Sequence, residues 1–274
     1  MPLITVGIPL YNGQDRIERA VRSVLNQTFD DFELIVTDDG SADESVNVVR
    51  SFSDDRLVLV EGKHNRGISY RLNQQIGLAK GEYFVRMDAD DIMFPDRLVK
   101  QLDVMRKNPR IDVLGSSVVV VDENENVVGM RGHTGGQMTK VDRLSHPTVF
   151  GKIEWFRKNR YDERFSGCED YELWLRTCHN SNFYELSEPL LFYFENSHVD
   201  LKKAIRYRKI GNKVIFHSRK YIDGAYLRII KNYLILFFFF VLHIMKCVSI
   251  VKPQRCDKLA QNEFEKYSKL LLDI

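Results

Sequence analysis

The feature that most constrains the fold is a repeated alternation in the first ninety residues, where short apolar runs alternate with amphipathic stretches. Residues 3–8 form an apolar run the length of a buried strand, closed by Pro9. Ile17, Ala20, Val21, Val24 and Leu25 then fall at i, i+3, i+4, i+7 and i+8, the apolar stripe of a helix. Residues 32–36 read as a second strand before Asp38-Asp39-Gly40-Ser41, with a helix expected from Ser41 or Asp43 through Val46, Val49 and Phe52. A third strand at 57–60, a third helix at 68–78 after Gly67, and a fourth strand at 83–87 continue the series. Such alternation predicts an α/β fold, a mostly parallel central sheet with helices on both faces. Ligands of such sheets bind outside the carboxyl ends of the strands. The loops expected there carry Tyr11, Asp38 with Asp39, and Asp88, Asp90 and Asp91, so acids should gather at one edge.

The pattern loosens afterwards. A helix is expected over 95–106, a strand over 113–121, a mobile loop over 131–137, a helix over 169–178 and a strand over 190–194. From residue 201 the chain turns basic. Thirteen Lys and Arg lie between Leu201 and Cys256 against Asp223 alone, so a chain of net charge +2 carries +12 there and −10 elsewhere. One face is therefore built to meet something anionic. Residues 233–245 add thirteen nearly uninterrupted apolar positions flanked by Lys231 and Lys246. A spanning helix needs about 20 apolar residues, which favours an interfacial membrane helix over a packed helix or a true span. These features divide the chain into a main body (1–200, with halves at about 1–110 and 111–200) and a basic, apolar helical extension (201–274). Four scattered cysteines without a C-x-x-C pair support neither a disulfide scaffold nor a zinc site. The N-terminus has no basic region leading an apolar stretch, so a cytoplasmic start is expected.

Asp88-Ala89-Asp90-Asp91 follows a buried strand and places hard oxygen donors at short spacing, a set suited to Mg²⁺ or Mn²⁺. Capping the following helix would explain one of these acids. Three within four residues repel one another unless a cation sits nearby.

Pro9-Leu10-Tyr11-Asn12, Gln27-Thr28-Phe29, Asp38-Asp39-Gly40-Ser41, Asn65-Arg66-Gly67, Gly81-Glu82-Tyr83, Asp88-Ala89-Asp90-Asp91 and Glu169-Asp170-Tyr171-Glu172-Leu173-Trp174 occur in this order. Across residues 3 to 196 this set resembles glycosyltransferase family 2 enzymes of the GT-A fold, the bacterial polysaccharide-building branch above all. The resemblance implies an inverting, metal-dependent sugar transfer from a nucleotide-diphospho-sugar, UDP-linked by preference, to a saccharide or lipid-linked saccharide. It implies that Pro9 and Tyr11 border the nucleotide base, that Asp39 hydrogen-bonds it, and that Arg71 faces the base or the diphosphate. The alternative for Arg71 is a solvated helical side chain, and for one of Asp38 and Asp39 a turn role. By the same resemblance Asp88 contacts the ribose or the metal, Asp90 binds the metal, and Asp91 caps or supports. Asp170 becomes the catalytic base and Glu169 its orienting neighbour, although acids opening a helix also suit its dipole. His198 is a candidate metal ligand, weakened because Phe194-Glu195 replaces the usual Tyr-Arg. His146 and Trp174 are acceptor-side candidates, and Cys168 reads as a packing residue.

Three other functions compete. A sugar nucleotidyltransferase would want a Gly-rich basic loop after the first strand, where 9–16 has one Gly and one Arg. A catalytically inactive nucleotide-sugar-binding subunit of a membrane complex sits poorly with intact Asp88, Asp90 and Asp170. Nucleic-acid binding lacks any reader motif. The expected partners are thus a nucleotide-sugar, a saccharide acceptor and an anionic membrane surface on the cytoplasmic side.

Overall fold

The computed structural model describes residues 1–132, 135–138, 144–196, 200–244 and 256–274, and the side chains of all of these except 242–244. In chain order they form β1 (Ile4–Leu10), α1 (Ile17–Leu25), β2 (Phe32–Asp38), α2 (Ser45–Arg50), β3 (Leu57–Val60), α3 (Ile68–Leu78) and β4 (Tyr83–Arg86). Next come β5 (Ile92–Met93), α4 (Arg97–Lys107), β6 (Val113–Val121), β7 (Val127–Arg131), β8 (Gly136–Gln137), β9 (Phe150–Lys152) and α5 (Ile153–Lys158). The chain continues through α6 (Glu169–Thr177), β10 (Phe183–Phe194), α7 (Leu201–His217), α8 (Ala225–Ile244) and α9 (Gln261–Asp273).

The strands make one sheet in the order β3-β2-β1-β4-β9-β6-β10-β5, with β7 added on β6 and β8 on β10. The expected parallel pairing holds for β3, β2, β1 and β4, and again for β6 with β10. Antiparallel β9 joins these two groups, and β5, β7 and β8 are antiparallel as well. Because β2 and β4 flank β1 on opposite sides, the chain reverses its strand order there and leaves a crevice at the carboxyl ends of β1 and β4.

Alternate residues of β1 explain why both faces are covered. Ile4, Val6, Ile8 and Leu10 pack with Ile17, Ala20, Val21 and Val24 of α1 and with Leu98, Leu102 and Met105 of α4. On the opposite face Leu72 and Ile76 of α3, Trp155 and Phe156 of α5, and Leu173 and Trp174 of α6 surround Phe84. Burying such side chains at about 1.5–3 kcal/mol each is the main term holding the layers together. The segment beyond residue 201 is not detached from this body. α7 and α8 pack Val214, Ile215, Ile222 and Ala225 on Phe165 and Leu175 beside α6. α9 returns to the sheet through Tyr267 and Leu271, against Phe94, Val119, Val121 and Phe192.

Three local expectations change. β1 runs on through Pro9 to Leu10, because Gly7 and Pro9 address the β4 side and β4 pairs no further than Gly7 with Arg86. The missing Pro9 N–H therefore costs no ladder bond. The helix expected from Ser41 or Asp43 starts at Ser45, since these side chains bind the loop after β1 instead. Ser41 Oγ accepts from Asn12 N at 2.9 Å, Asp43 Oδ2 from Gln14 N at 3.1 Å and Ser45 Oγ from Gly13 N at 2.8 Å. Finally, Arg131 ends β7 and Gly136-Gln137 pair with β10, where a mobile loop was expected; His133 and Thr134 lie outside the described residues.

Gly7 marks how tightly α3 lies on the sheet: a Cβ there would meet Gln75 Oε1 at 2.5 Å and the Phe84 ring at 2.8 Å. Both neighbours are fully buried. Gly7→Ala should therefore lower unfolding stability by about 1–3 kcal/mol, the usual cost of overpacking. Urea denaturation measures it, and an unchanged midpoint would contradict this packing.

Candidate active site

Two cavities meet in the crevice. The smaller, about 280 Å³, is lined by the five residues named from the sequence for the nucleotide, Pro9, Tyr11, Asp39, Arg71 and Asp88, and by Asp90, named for the metal. Tyr11 stands half-exposed at its mouth, its ring free to stack on a planar ligand. The larger, about 530 Å³, is lined by Arg86, Asp88, Asp90, His146, Glu169 and Asp170, with Tyr193, Lys203 and Tyr207. Asp88, Asp90 and Ile68 belong to both.

Asp39 and Arg71 are a buried pair, each 4% exposed, which removes the solvated alternative for Arg71. Arg71 Nε donates to Asp39 Oδ1 at 2.7 Å, and the backbone N–H groups of Arg66 and Gly67 donate to the same carboxylate at 2.8 Å. Three donors fix the position of this carboxylate. Arg71 also donates to His64 O at 3.1 Å and Gln74 Oε1 at 2.9 Å. The turn role falls to Asp38, which accepts from Gly40 N at 3.0 Å and Ser41 N at 3.1 Å.

The acid turn after β4 is held from both sides. Arg86, 2% exposed, grips both oxygens of Asp88, with Nη1 to Oδ2 at 2.8 Å. Sequence reading missed Arg86; its signal was a charged residue closing the otherwise apolar run Tyr83-Phe84-Val85. Asp91 is buried and accepts from Phe194 N at 3.1 Å, so it latches β10 to the acid turn and caps no helix. Burial, then Asp90 and Asp88, push the Asp91 carboxyl well above the usual carboxylate range. Carboxylate oxygens of Asp88, Asp90 and Asp91 lie within 4.8 Å of one another.

At the far wall, Glu169 and Asp170 open α6. Glu169 accepts from Gly167 N, and burial together with Asp170 pushes its carboxyl up to about 7. Asp170 accepts from Tyr171 N at 2.7 Å, and burial raises its pKa too. His146, 7% exposed, reaches this pair: the three residues offer donor atoms within 4.8 Å of one another. Burial and the Arg86 charge keep its imidazole neutral.

Trp174, an acceptor-side candidate from sequence, does not reach the cavity. It sits four residues past Asp170 on the inward face of α6, 1% exposed, with its ring 5.4 Å from Phe183 and 6.0 Å from His146. Cys168 packs as expected: its Sγ meets Tyr207 O at 3.4 Å, and burial pushes the thiol up to about 12. His198 lies outside the described residues. Glu195, at the departure from the family pattern, pairs with Arg131 at 2.5 Å, and Arg16 lies 4.2 Å over the Phe194 ring.

With this geometry the comparison with known proteins becomes decisive. The sequence profile of Glycosyl transferase family 2 matches residues 5–168, more than half of the chain. The chain belongs to glycosyltransferase family 2. Over 218 residues this transferase is 29% identical to the O-antigen biosynthesis glycosyltransferase WbnJ of Escherichia coli, covering 76% of the chain and 85% of that protein. Its fold is that of GT-A enzymes. S. aureus TarS (1–349) in complex with UDP-GlcNAc superposes with a TM-score of 0.66 at 18% identity, over 83% of this chain and 72% of that one. The mannosyltransferase PcManGT from Pyrobaculum calidifontis in complex with GDP-Man and Mn²⁺ gives 0.62 at 15% identity, over 99% and 84%.

Asp90 makes the electrostatics of this transferase testable. Desolvation by the cleft walls and repulsion from Asp88 push its carboxyl up to about 6 from an ordinary 3.8, although the side chain keeps more than a third of its surface in solvent. The folded state then binds more protons than the unfolded chain, so stability is lost as pH rises from about 4 through 6. Asp90→Asn should melt higher than the parent in EDTA at pH 7 to 8, with the gap opening between about pH 4 and 6. The same variant should lose any Mn²⁺-induced rise in Tm. A variant that melts lower than the parent at pH 8 would contradict this assignment of charge.

Proposed function

We propose that this enzyme transfers a sugar with inversion from a nucleotide-diphospho-sugar, UDP-linked, to a saccharide or lipid-linked saccharide in surface polysaccharide assembly. The observation that carries the reading is the pair of cavities that share Asp88 and Asp90 while Asp170 lies only on the second. A donor in the first cavity would present its anomeric carbon at the junction, with its leaving group on one side and the acceptor on the other. In a single displacement the acceptor oxygen bonds to the anomeric carbon, its proton passes to Asp170, and the bond to the diphosphate breaks with its electron pair. Burial raises the basicity of Asp170, which suits a carboxylate that must take a hydroxyl proton in concert with bond formation. Glu169, pushed up to about 7, shares the local charge so that two full negative charges need not coexist.

The acid turn fits a divalent cation. Its oxygens converge, burial raises Asp90 and Asp91, with Asp88 adding to both and Asp90 to Asp91, and the donors are hard. Asp90 and the lone pairs of Asp88 left free by Arg86 would hold Mg²⁺ or Mn²⁺. When bound, the ion would supply neutralisation of the charge developing on the diphosphate. TarS binding UDP-GlcNAc, PcManGT binding GDP-Man with Mn²⁺, and the O-antigen role in the name of WbnJ support the donor, metal and pathway parts of this reading.

The enzyme is further proposed to sit on the inner face of the cell membrane through its C-terminal helices. Among the described residues no helix is long and apolar enough to cross a membrane. α8 nevertheless turns Tyr226, Leu227, Ile230, Tyr233, Leu234, Phe237, Phe238 and Phe240 outward, each more than half exposed, while Ala225 and Phe239 are buried. α7 and α8 are locked by Arg208 donating to Asn232 at 2.9 Å and Asn232 to Asn212 at 2.7 Å. An apolar face this large with cations around it matches an anionic bilayer surface.

Two measurements check the proposal. Asp170→Asn should keep its nucleotide-sugar affinity within about twofold while kcat falls by roughly a thousandfold, as expected for a group acting in the transition state. A variant that keeps most of its rate would reject Asp170 as the base. In flotation, the full chain should rise with phosphatidylglycerol vesicles, and Leu227→Glu/Leu234→Glu should not. These positions are exposed, so the double variant leaves the fold intact, whereas truncation at 200 would strip α9 from the sheet. Equal flotation of both proteins would remove α8 as the membrane contact.

A further inference from the structure

Tyr161 precedes α6 by eight residues and was not singled out by its sequence. It is 3% exposed, and its hydroxyl lies 2.9 Å from Nε2 of His146. Its backbone is clamped twice by one side chain of α3: Tyr161 N donates to Asn73 Oδ1 at 3.0 Å, and Asn73 Nδ2 donates to Tyr161 O at 2.9 Å. The His146 ring is held edge-on by Trp174, with centroids 6.0 Å apart. Tyr161 and His146 are thus fixed relative to both α3 and α6 before any ligand arrives.

The chemistry of the pair follows from its surroundings. Burial keeps the phenol protonated, and burial with Arg86 keeps the imidazole neutral. The charged and phenolic groups that line the same cavity as His146 are Arg86 at the end of β4, Asp88 and Asp90 after it, Arg131 of β7, Glu169 and Asp170 of α6, Tyr193 of β10, and Lys203 and Tyr207 of α7. With Nε2 taken by Tyr161, Nδ1 is the ring nitrogen left to serve a further partner, and ionised carboxylates accept only. A phenol that donates to Nε2 leaves the proton on Nδ1, the tautomer a carboxylate can use. Separations up to 4.8 Å in a ligand-free site are within what closes when substrate binds.

We propose that Tyr161 is a positioning residue for transfer: its hydroxyl orients His146 so that Nδ1–H is directed at the Glu169–Asp170 pair and holds Asp170 aligned to receive the acceptor proton. This rests on Asp170 being the base. No proton passes through the pair; its contribution is orientation, in the way that a hydrogen bond to one ring nitrogen sets the function of the other.

The test is a double-substitution cycle on the full-length enzyme with UDP-GlcNAc as the donor probe. The readouts are kcat, donor KM, nucleotide affinity by calorimetry and Tm. Tyr161→Phe should lower kcat at least tenfold, with donor KM and UDP affinity within twofold of the parent. His146→Asn places an amide N–H near the Nδ1 position without needing Tyr161, so it should retain at least fivefold more kcat than His146→Ala. In the His146→Asn background, Tyr161→Phe should then cost less than twofold. Equal losses from Tyr161→Phe in both backgrounds would overturn the proposal, as would losses that appear in donor KM or follow the fall in Tm. So would Asn no better than Ala, a comparison that stands even if Tyr161→Phe folds poorly. If Asp170→Asn retains its rate, the base itself is misassigned. If Asp170→Asn is inactive and the cycle is additive, only the orienting role of Tyr161 fails.

Discussion

The guanidinium of Arg86 is the charge around which the site is organised. It is buried at the end of β4, grips Asp88 with both terminal nitrogens, and acts electrostatically on Asp90, Asp91, Glu169 and Asp170. Five carboxyl groups around one cleft would otherwise repel one another beyond what a marginally stable fold tolerates. Burial works against the charge of Arg86, yet Asp88 and, more weakly, Tyr161, Glu169 and Asp91 reverse that and raise its pKa. The cation therefore stays charged under all conditions in which the protein is folded. Burial and mutual repulsion still outweigh Arg86: Asp90 and Glu169 are raised to about 6 and 7, and Asp91 and Asp170 are raised too.

The second organising element is α3. Arg71 holds Asp39 on the wall of the smaller cavity, Asn73 clamps Tyr161 behind His146 of the larger, and Gln75 donates to Thr37 of β2 at 2.8 Å. These three side chains, spaced two residues apart, reach in different directions and tie one helix to both halves of the site. Gly7 lets that helix lie close on the sheet. A shift of α3 would move groups of both cavities together, so their separation is protected by a single rigid body.

Much of this was legible in the sequence. The strands and helices of the first half followed from periodicity, because each strand is covered on both faces and each helix buries a stripe. Pro9, Tyr11, Asp39, Arg71, Asp88 and Asp90 were named from motifs and do line one cavity. What was misread involved polar side chains that serve the backbone or each other. The sequence places a helix start at Ser41 or Asp43, but these side chains, with Ser45, bind the loop after β1 across 29 to 32 residues. Trp174 was an acceptor-side candidate beside an acid pair, yet the helical repeat turns it inward. Tyr161 carried no local motif at all, since its partners His146 and Asn73 come from distant segments, and Arg86 left only the trace of a charge closing an apolar run.

Sequence by itself determined the class of fold, the family and the acids at the strand ends, because these depend on periodicity and on contiguous motifs. It also determined that a basic, apolar segment follows the catalytic body, since charge and hydropathy are local properties. Tertiary structure alone decided which carboxyls share a cleft, which are neutralised by Arg86, and which face of α8 is left outward. It also decided that α9 belongs to the sheet and that His146 meets Asp170. The reason is physical: charge state and accessibility depend on what long-range packing places within a few ångströms, and a one-dimensional pattern carries no such distance.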